Sequence, residues 1–313
     1  MNKENFLALF PGSLQGLFGQ VANNSQQIQE IRMRVGLPIL IQKDTFEFML
    51  DENGNMIQDR QRARCVRRDE IDKMMLHLCH DSVYAFEDEI RNGFLTMPGG
   101  HRVGVTGQVV LGDNGQIRTI KYISCLNIRI AHELLGIASS LLPYMYQEGR
   151  LQNTLIVSPP GCGKTTLLRD LIRQISNGNR YGNPMQVSVV DERCEIAGSF
   201  QGIAQNHMGD RTDVLSACPK SIGMMLLLRS MAPQVMAIDE LGGTEDIKAL
   251  QHVLQSGCCV LVTIHGENME ELRQKKNLAE IFENHVFQRY VFLECREHQY
   301  KIKMILNGEL QDV

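Results

Sequence analysis

Short apolar runs alternate with longer amphipathic stretches along the second half of the chain. The runs, rich in Val, Ile and Leu, lie at 154–157, 187–190, 235–238 and 258–262. In the stretches between them, apolar residues recur every three or four positions, as they do in helices with one buried face. Strands and helices that alternate in this way form a parallel sheet with helices on both of its faces. The pattern therefore predicts an α/β fold from about residue 150 onward.

The first half has shorter elements, and their pattern predicts a smaller mixed α/β domain. Alternating apolar and basic residues at 31–34 indicate a half-buried strand, and the turns at 98–100 and 112–115 indicate hairpins. A helical pattern over 133–146, ended by Gly149, predicts a helix between the two halves. We therefore expect three parts: an N-terminal α/β domain at 1–137, a linking helix at 138–150 and an α/β domain at 151–313.

Two further segments of the second domain are informative. The polar, glycine-bearing stretch at 198–216 predicts a long connection, and connections of that length are usually functional or mobile. A helix that begins at Asn268 is followed by strand-like runs at 286–293 and 300–306.

Composition and charge narrow the class of protein. The chain has 313 residues, of which 22% are charged and 43% hydrophobic, as in ordinary globular proteins, and its net charge is −4. Nucleic acid as the main partner is not suggested by that charge. The nine cysteines lack paired C-x-x-C spacing, which favours a reducing compartment. Because no run of about eighteen apolar residues occurs, we expect a cytoplasmic protein whose contact with a membrane is at most peripheral.

A glycine-rich segment follows the first apolar run and precedes a helical pattern. It reads Ser158, Pro159, Pro160, Gly161, Cys162, Gly163, Lys164, Thr165, Thr166. Strand, glycine loop and helix in this order are the context in which a Walker A match is meaningful, although Ser158 stands at the position of the first glycine. Backbone N–H groups would surround the phosphates of ATP, Lys164 would reach the β- and γ-phosphates, and Thr165 would bind Mg²⁺. The alternative is a glycine-rich surface loop that matches by chance.

Two acids end the apolar run at 235–238, 75 residues after Lys164. This is the pattern of a Walker B element, in which Asp239 would hold Mg²⁺ and Glu240 would orient and activate the attacking water. Small-molecule kinases need no such second acid, so Glu240 favours hydrolysis. The alternative is a solvated acidic pair at the end of a strand.

Polar residues also follow two other predicted strands. Thr263 and His265 end a strand expected beside the acidic one, where they could contact the γ-phosphate or the attacking water; a loop histidine without such a role is the alternative. Asp191 and Glu192 end another strand at the same edge, where open α/β sheets place their sites. They could assist Mg²⁺ or polarise water, or they could pair with Arg193.

Several stretches resemble known families. The segment 227–240 and the Thr263-x-His265 pair are similar to the type II and type IV secretion and pilus-retraction ATPases. More closely, nearly the whole chain resembles the stage III sporulation protein AA family of endospore-forming bacteria. The stretches that carry this resemblance are EDEIRNG at 87–93, GGHRVG at 99–104, GDRTDV at 209–214, CPK at 218–220 and RSMAP at 229–233.

The resemblance implies a RecA-like P-loop NTPase core behind the smaller N-terminal domain, working as a homo-oligomeric ring, commonly a hexamer. Such a motor would energise the channel complex that joins mother cell and forespore, from the mother-cell cytoplasm and through membrane-embedded partners. Family roles fall on these residues: Lys164, Thr165, Asp239, Glu240, the acidic pair Asp191 and Glu192, and His265. Secretion ATPases usually carry an arginine soon after the Walker B glutamate, whereas this chain has Leu241, Gly242 and Gly243 there.

Two other functions are compatible with the sequence. A P-loop ATPase acting with single-stranded nucleic acid is one, although the pI of about 6.2 and the absence of a basic-aromatic run disfavour it. A nucleotide-binding scaffold that hydrolyses slowly is the other, and the presence of both Lys164 and Glu240 disfavours that reading.

Overall fold

A computed structural model shows a chain of two compact units. The structure describes residues 3–112, 115–275, 278, 281–282, 285–296 and 299–313. The first unit is Met1–His132 and the second is Glu133–Val313. Among the described residues, none of the helices combines the length and the apolarity that crossing a bilayer requires.

The first unit is built on an antiparallel sheet with short helices. Its elements are α1 (Lys3–Leu7), α2 (Gly12–Phe18), β1 (Ile28–Arg34), β2 (Leu40–Lys43), β3 (Phe46–Leu50), β4 (Met56–Ile57), α3 (Arg68–Leu78), α4 (Glu87–Arg91), β5 (Phe94–Met97), β6 (His101–Leu111) and β7 (Ile117–Arg129), with 3₁₀ turns at Val21–Asn24, Arg60–Arg62 and Val83–Phe86. The seven strands lie in the order β4-β3-β2-β1-β7-β6-β5.

Alternation along the strands of this sheet decides which side chains are buried. In β1, Ile31 and Met33 are fully buried, whereas Arg32 lies on the other face and pairs with Glu30. Strand β7 repeats the pattern, since Leu126 and Ile128 are buried. A strand period of two therefore gives one apolar face and one polar face, as the sequence pattern predicts.

The second unit is a mainly parallel α/β sheet. Its elements are α5 (Leu142–Met145), β8 (Tyr146–Gln147), β9 (Arg150–Leu151), β10 (Thr154–Ser158), α6 (Lys164–Asn177), β11 (Val187–Asp191), β12 (Thr212–Ser216), α7 (Lys220–Met231), β13 (Val235–Ile238), α8 (Thr244–Gln255), β14 (Cys259–His265), α9 (Met269–Gln274), β15 (Arg289–Arg296) and β16 (Gln299–Asn307). The strand order is β12-β11-β13-β14-β10-β15-β16, and only the last pair is antiparallel.

The central strands of this sheet are apolar on both faces because helices cover both sides. Along β10, Leu155 and Val157 belong to one buried core, while Ile156 belongs to the other. Helix α6 packs into the second core through Leu168, Leu171 and other apolar residues. Continuous apolar runs in the sequence are typical of strands buried in this way.

The predicted linking helix is wrong over most of its length. Within 133–146, only the four residues of α5 are helical, and the chain then forms a β8–β9 hairpin around Gly149. The backbone N–H groups of Gly136 and Ala138 bond to the buried carboxylate of Asp170, at 3.1 Å and 2.8 Å. Backbone donors committed to a side chain on α6 are not available for helical hydrogen bonds, so the amphipathic pattern here does not produce a long helix.

The predicted long connection at 198–216 is shorter than expected. Its last five residues form β12, the edge strand that pairs in parallel with β11. Each of these five residues is only half-buried. An edge strand with mixed side chains lacks the strong apolar run that marks the central strands, so periodicity alone does not reveal it.

Candidate functional site

The carboxyl ends of four neighbouring strands meet at one edge of the second sheet. Strand β14 lies between β10 and β13, and β11 follows β13. The parallel register places Ser158 of β10 opposite His265 of β14. The glycine loop, the two acids, the Thr263–His265 pair and the Asp191–Glu192 pair therefore come to a single edge, where sites of open α/β sheets are found.

The glycine loop connects β10 to α6 by way of two left-handed glycines. Gly161 has φ of +74° and Gly163 has φ of +77°, and Gly163 is the N-cap residue of α6. A residue with a side chain rarely adopts these angles, which explains why glycine stands at both positions. Pro159, Pro160 and Cys162 complete the loop, while Thr165 and Thr166 lie in the first turn of α6. The N-terminus of this 14-residue helix faces the loop, as in phosphate-binding sites.

Ser158 has a local role at the position where the usual motif has glycine. It is fully buried, and its hydroxyl donates to the carbonyl of Pro159 at 2.9 Å. The Ser158 carbonyl accepts a hydrogen bond from the Gly266 N–H at 3.2 Å. The serine therefore turns the chain at the end of β10 and connects the start of the loop to the end of β14.

Asp239 lies between two hydroxyl groups. Its Oδ2 accepts a hydrogen bond from Thr165 Oγ1 at 2.6 Å, and its Oδ1 accepts one from Thr263 Oγ1. Thr263 is fully buried, and its Oγ1 also accepts the backbone N–H of Glu240 at 2.8 Å. These contacts of Thr263 orient both acids, and its contact with phosphate or water stays a prediction.

Glu240 is held by both oxygens of its carboxylate. Oε1 lies 2.8 Å from His265 Nε2, and Oε2 lies 3.0 Å from Arg193 Nη1. The other ring nitrogen of His265, Nδ1, lies 2.9 Å from Lys164 Nζ. Glu240 also has φ of +56°, a left-handed angle that is uncommon for a residue with a side chain. Burial lowers the pKa of Lys164, and the neighbouring Asp239 and Glu240 partly oppose that shift.

Asp191 shapes the loop after β11. Its carboxylate accepts the backbone N–H groups of Glu195 at 2.8 Å, Ile196 at 3.2 Å and Ala197 at 2.8 Å. Burial raises the pKa of this carboxyl, while the three N–H donors act in the opposite direction. With both oxygens already bonded to the backbone, Asp191 supports the loop that carries Glu192 and Arg193.

Glu192 lies at the same edge, and its role in assisting Mg²⁺ or polarising water stays a prediction. Its carboxylate pairs with Lys220 at the start of α7. Arg193, the partner expected in the alternative, contacts Glu240 instead. Glu192, Lys220, Arg193 and Glu240 nevertheless line one small cavity.

Arg193 and Arg169 belong to none of the sequence motifs, and both connect parts of the site. Arg193 contacts Glu240, and Arg169 of α6 donates to the carbonyls of Glu195 at 2.7 Å and Ile196 at 2.5 Å. Burial lowers the pKa of Arg169. The Asp191-Glu192-Arg193 run was visible in the sequence, but only the folded chain shows that its arginine reaches the end of β13.

The residues at this edge fit a magnesium–nucleotide ligand. Thr165 and Asp239 bring a hydroxyl and a carboxylate oxygen within 2.6 Å of each other, and hard oxygen ligands are those that Mg²⁺ prefers. Lys164, whose side chain is almost fully buried, supplies a cation next to the left-handed glycines. Within the described part of the chain, no cluster of three or more His, Cys, Asp or Glu residues offers a rival metal site.

Comparison with known families agrees with this arrangement. A sequence profile described as "Sporulation stage III, protein AA" matches residues 1–311. The chain belongs to this family. The "Stage III sporulation protein AA" of Bacillus subtilis (strain 168) is 38% identical over 286 residues, which are 91% of this chain and 89% of that protein.

The fold of this family member is that of secretion and pilus ATPases. The ATPase DotB of Yersinia pseudotuberculosis superposes with a TM-score of 0.61 at 14% identity, covering 96% of this chain and 81% of that one. The pilus retraction motor PilT, solved with bound ADP, gives a TM-score of 0.60 at 12% identity, covering 89% of this chain and 77% of that one. At such identities the likeness establishes the RecA-like fold and leaves the activity to be argued from the site.

Proposed function

We propose that this protein is a Mg²⁺-dependent ATPase that energises a sporulation channel complex. The observation that carries the proposal is the convergence of Lys164, Asp239 and Glu240 at the sheet edge next to the left-handed glycine loop. A phosphate-binding loop, a metal-binding acid and a second acid for water are the parts that hydrolysis of a nucleoside triphosphate needs.

Each residue has a separate task in this proposal. The N–H groups of the loop 159–163 and the ammonium of Lys164 bind the phosphates, while Thr165 and Asp239 hold Mg²⁺. Mg²⁺ held there would supply positive charge that offsets the charge of the phosphates. Glu240 orients the attacking water and accepts its proton, and His265 contacts the carboxylate of Glu240.

The family gives this activity its biological setting. In the proposed setting the motor works in the mother-cell cytoplasm, as a ring of identical chains, and is held at the membrane through partner proteins of the channel. DotB, an ATPase, and PilT, a pilus retraction motor, share this fold. This likeness in fold supports a mechanical role for hydrolysis here.

The test is a comparison of nucleotide binding and turnover in three variants. Glu240→Gln should still bind ATP but should hydrolyse it on the order of a hundredfold more slowly, because the general base is lost. Lys164→Ala should lose nucleotide affinity, since the phosphate charge is no longer compensated. Glu309→Gln is the matched control, because Glu309 is an exposed acid in the turn after β16. It should leave both quantities unchanged.

Two results would contradict the proposal. Undiminished ATP binding by Lys164→Ala would remove the glycine loop from the nucleotide site, and wild-type turnover by Glu240→Gln would require another base. Turnover that depends strongly on added single-stranded DNA or RNA at moderate salt would favour the nucleic-acid-dependent ATPase instead.

A further inference from the structure

Lys164, His265, Glu240 and Arg193 form one continuous chain of contacts. Lys164 Nζ lies 2.9 Å from His265 Nδ1, His265 Nε2 lies 2.8 Å from Glu240 Oε1, and Arg193 Nη1 lies 3.0 Å from Glu240 Oε2. We call this set the Lys164–Arg193 relay. It connects the phosphate-binding cation to both oxygens of the acid that the proposed reaction needs.

The donors and acceptors in the relay fix the state of the histidine. A lysine ammonium has three donors and no acceptor, so His265 Nδ1 must accept from Lys164. The proton of the neutral ring then lies on Nε2, which donates to Glu240. In this tautomer one rigid ring makes both hydrogen bonds. A movement of Lys164 that turns the ring therefore also changes the contact with Glu240.

One end of the relay is held by the same ammonium that the phosphates are proposed to bind. Lys164 is almost fully buried, and its ammonium already donates to His265. If phosphate oxygens draw the ammonium away from the histidine, the contact to Nδ1 is lost and the ring is held only through Nε2. The imidazole is then free to turn, and Glu240 loses a fixed donor.

Arg193 holds the opposite oxygen of Glu240 from a supported loop. Its side chain is 64% exposed, and the loop residues that follow it, 195–197, donate three backbone N–H groups to Asp191. Each oxygen of Glu240 accepts one of these donors, so His265 and Arg193 together fix the direction of the carboxylate. A carboxylate held at both oxygens does not turn towards a water elsewhere in the site until one of these contacts is released.

We propose that the Lys164–Arg193 relay holds Glu240 in a resting arrangement, and that phosphate binding at Lys164 releases this acid through His265. His265 and Arg193 are positioning residues in this scheme. The inference rests on the proposed function, because it takes the loop at 159–163 as the phosphate site. It makes a specific prediction: removing the histidine should make a phosphate ligand bind more tightly, since one competing contact no longer has to be broken.

The test measures the equilibrium affinity of ADP, a ligand that reaches the site without turnover. His265→Ala should bind ADP about tenfold more tightly than the wild type, the size expected for a lost hydrogen bond to a charged group. ATP turnover should fall at the same time, because ADP that is bound more tightly leaves the site more slowly. His265→Gln is the matched control: its amide has an acceptor and a donor that can replace both ring nitrogens, so its ADP affinity should stay within about twofold of the wild type.

Variants of Arg193 give a second, independent test of the relay. Arg193→Gln should tighten ADP binding a few-fold by loosening Glu240, and it should have no such effect when His265 is already alanine, because the relay is then broken. Thermal unfolding of each variant checks that it is folded before affinity is compared.

Different results would contradict the relay alone or the proposed nucleotide site as well. Unchanged or weaker ADP binding by folded His265→Ala, with Lys164→Ala still abolishing binding, would overturn the relay and leave the nucleotide site standing. ADP binding that does not depend on Lys164 would overturn both. Tighter binding together with slower turnover supports the relay, since a general loss of structure would weaken both.

Discussion

At the scale of single residues, the arrangement of the two acids depends on one buried hydroxyl. Glu240 has a left-handed φ of +56°, which costs free energy for a residue with a Cβ atom. Thr263 Oγ1 accepts the Glu240 N–H at 2.8 Å and donates to Asp239, so it fixes the backbone of one acid and the side chain of the other. The strained conformation at Glu240 is therefore kept by contacts from β14.

Thr263→Val tests this role. Valine has nearly the shape of threonine but no hydroxyl, so the Glu240 N–H and Asp239 Oδ1 each lose a partner in a buried site. We expect turnover to fall on the order of tenfold or more, and half-saturation by Mg²⁺ to require a higher concentration. Steady-state turnover measured as a function of Mg²⁺ concentration checks both.

The matched variant is Thr263→Ser, which keeps the hydroxyl and removes one methyl group. It should retain most of the turnover and the wild-type Mg²⁺ dependence. If Val and Ser at this position behave alike, packing of the methyl group matters at position 263 and the hydroxyl does not.

Sequence patterns identify some of these residues and cannot identify others. Lys164, Asp239 and Glu240 occupy motif positions that follow predictable strands, so their meeting at one edge follows from the parallel sheet. Arg193 carries no motif, and its contact with Glu240 depends on a side-chain direction in a loop organised by Asp191. The same limit applies to Thr263, whose strand was predicted but whose hydrogen bonds were not.

At the scale of elements, regular segments follow the hydrophobic pattern, and segments whose backbone bonds to side chains do not. Strand β13 and helix α8 lie where periodicity places them. The segment 133–146 differs because Gly136 has φ of +81° and the N–H groups of Gly136 and Ala138 bond to Asp170. An amphipathic pattern records which residues are apolar and carries no information about such side-chain partners.

A buried histidine in the first unit makes the stability of the protein depend on pH. His101, at the start of β6, is 3% exposed, and its Nδ1 accepts the Ala131 N–H at 3.0 Å. Burial lowers its pKa from 6.5 to about 4, and the neighbouring His132 adds to the shift. At a pH between these two pKa values, His101 binds a proton in the unfolded chain but not in the folded chain. Stability from this site is thus fully present above pH 6.5 and is lost as the pH falls towards 4, by up to about 3 kcal/mol.

The measurement is the free energy of unfolding as a function of pH. His101→Asn keeps an acceptor for Ala131 and does not titrate, so its stability should fall less between pH 6.5 and 4 than that of the wild type. His252→Asn, at an exposed position on α8, is the control and should follow the wild type. Equal slopes for wild type and His101→Asn would show that another group causes the acid sensitivity.

At the scale of the whole molecule, the second unit exposes apolar surface that a single chain leaves open. A groove of about 810 Å³ runs between α7 and α8, and it is lined by the exposed side chains of Ile222 and Leu226 together with Met225. Exposed apolar surface of this kind is typical of proteins that associate. This feature is consistent with the proposed ring, whose existence has to be tested in solution.

The decisive measurement is the solution mass of Glu240→Gln with and without saturating Mg²⁺-ATP. This variant should bind the nucleotide and keep it unhydrolysed, so a nucleotide-dependent assembly would persist long enough for its mass to be measured. We expect a shift from a small species without nucleotide to a closed ring, commonly a hexamer, with ATP. Lys164→Ala, which should bind ATP poorly, should remain small under both conditions. A Glu240→Gln protein that binds ATP and yet stays monomeric would show that nucleotide alone does not assemble the ring, and the role of partner proteins at the membrane would then be the next step to measure.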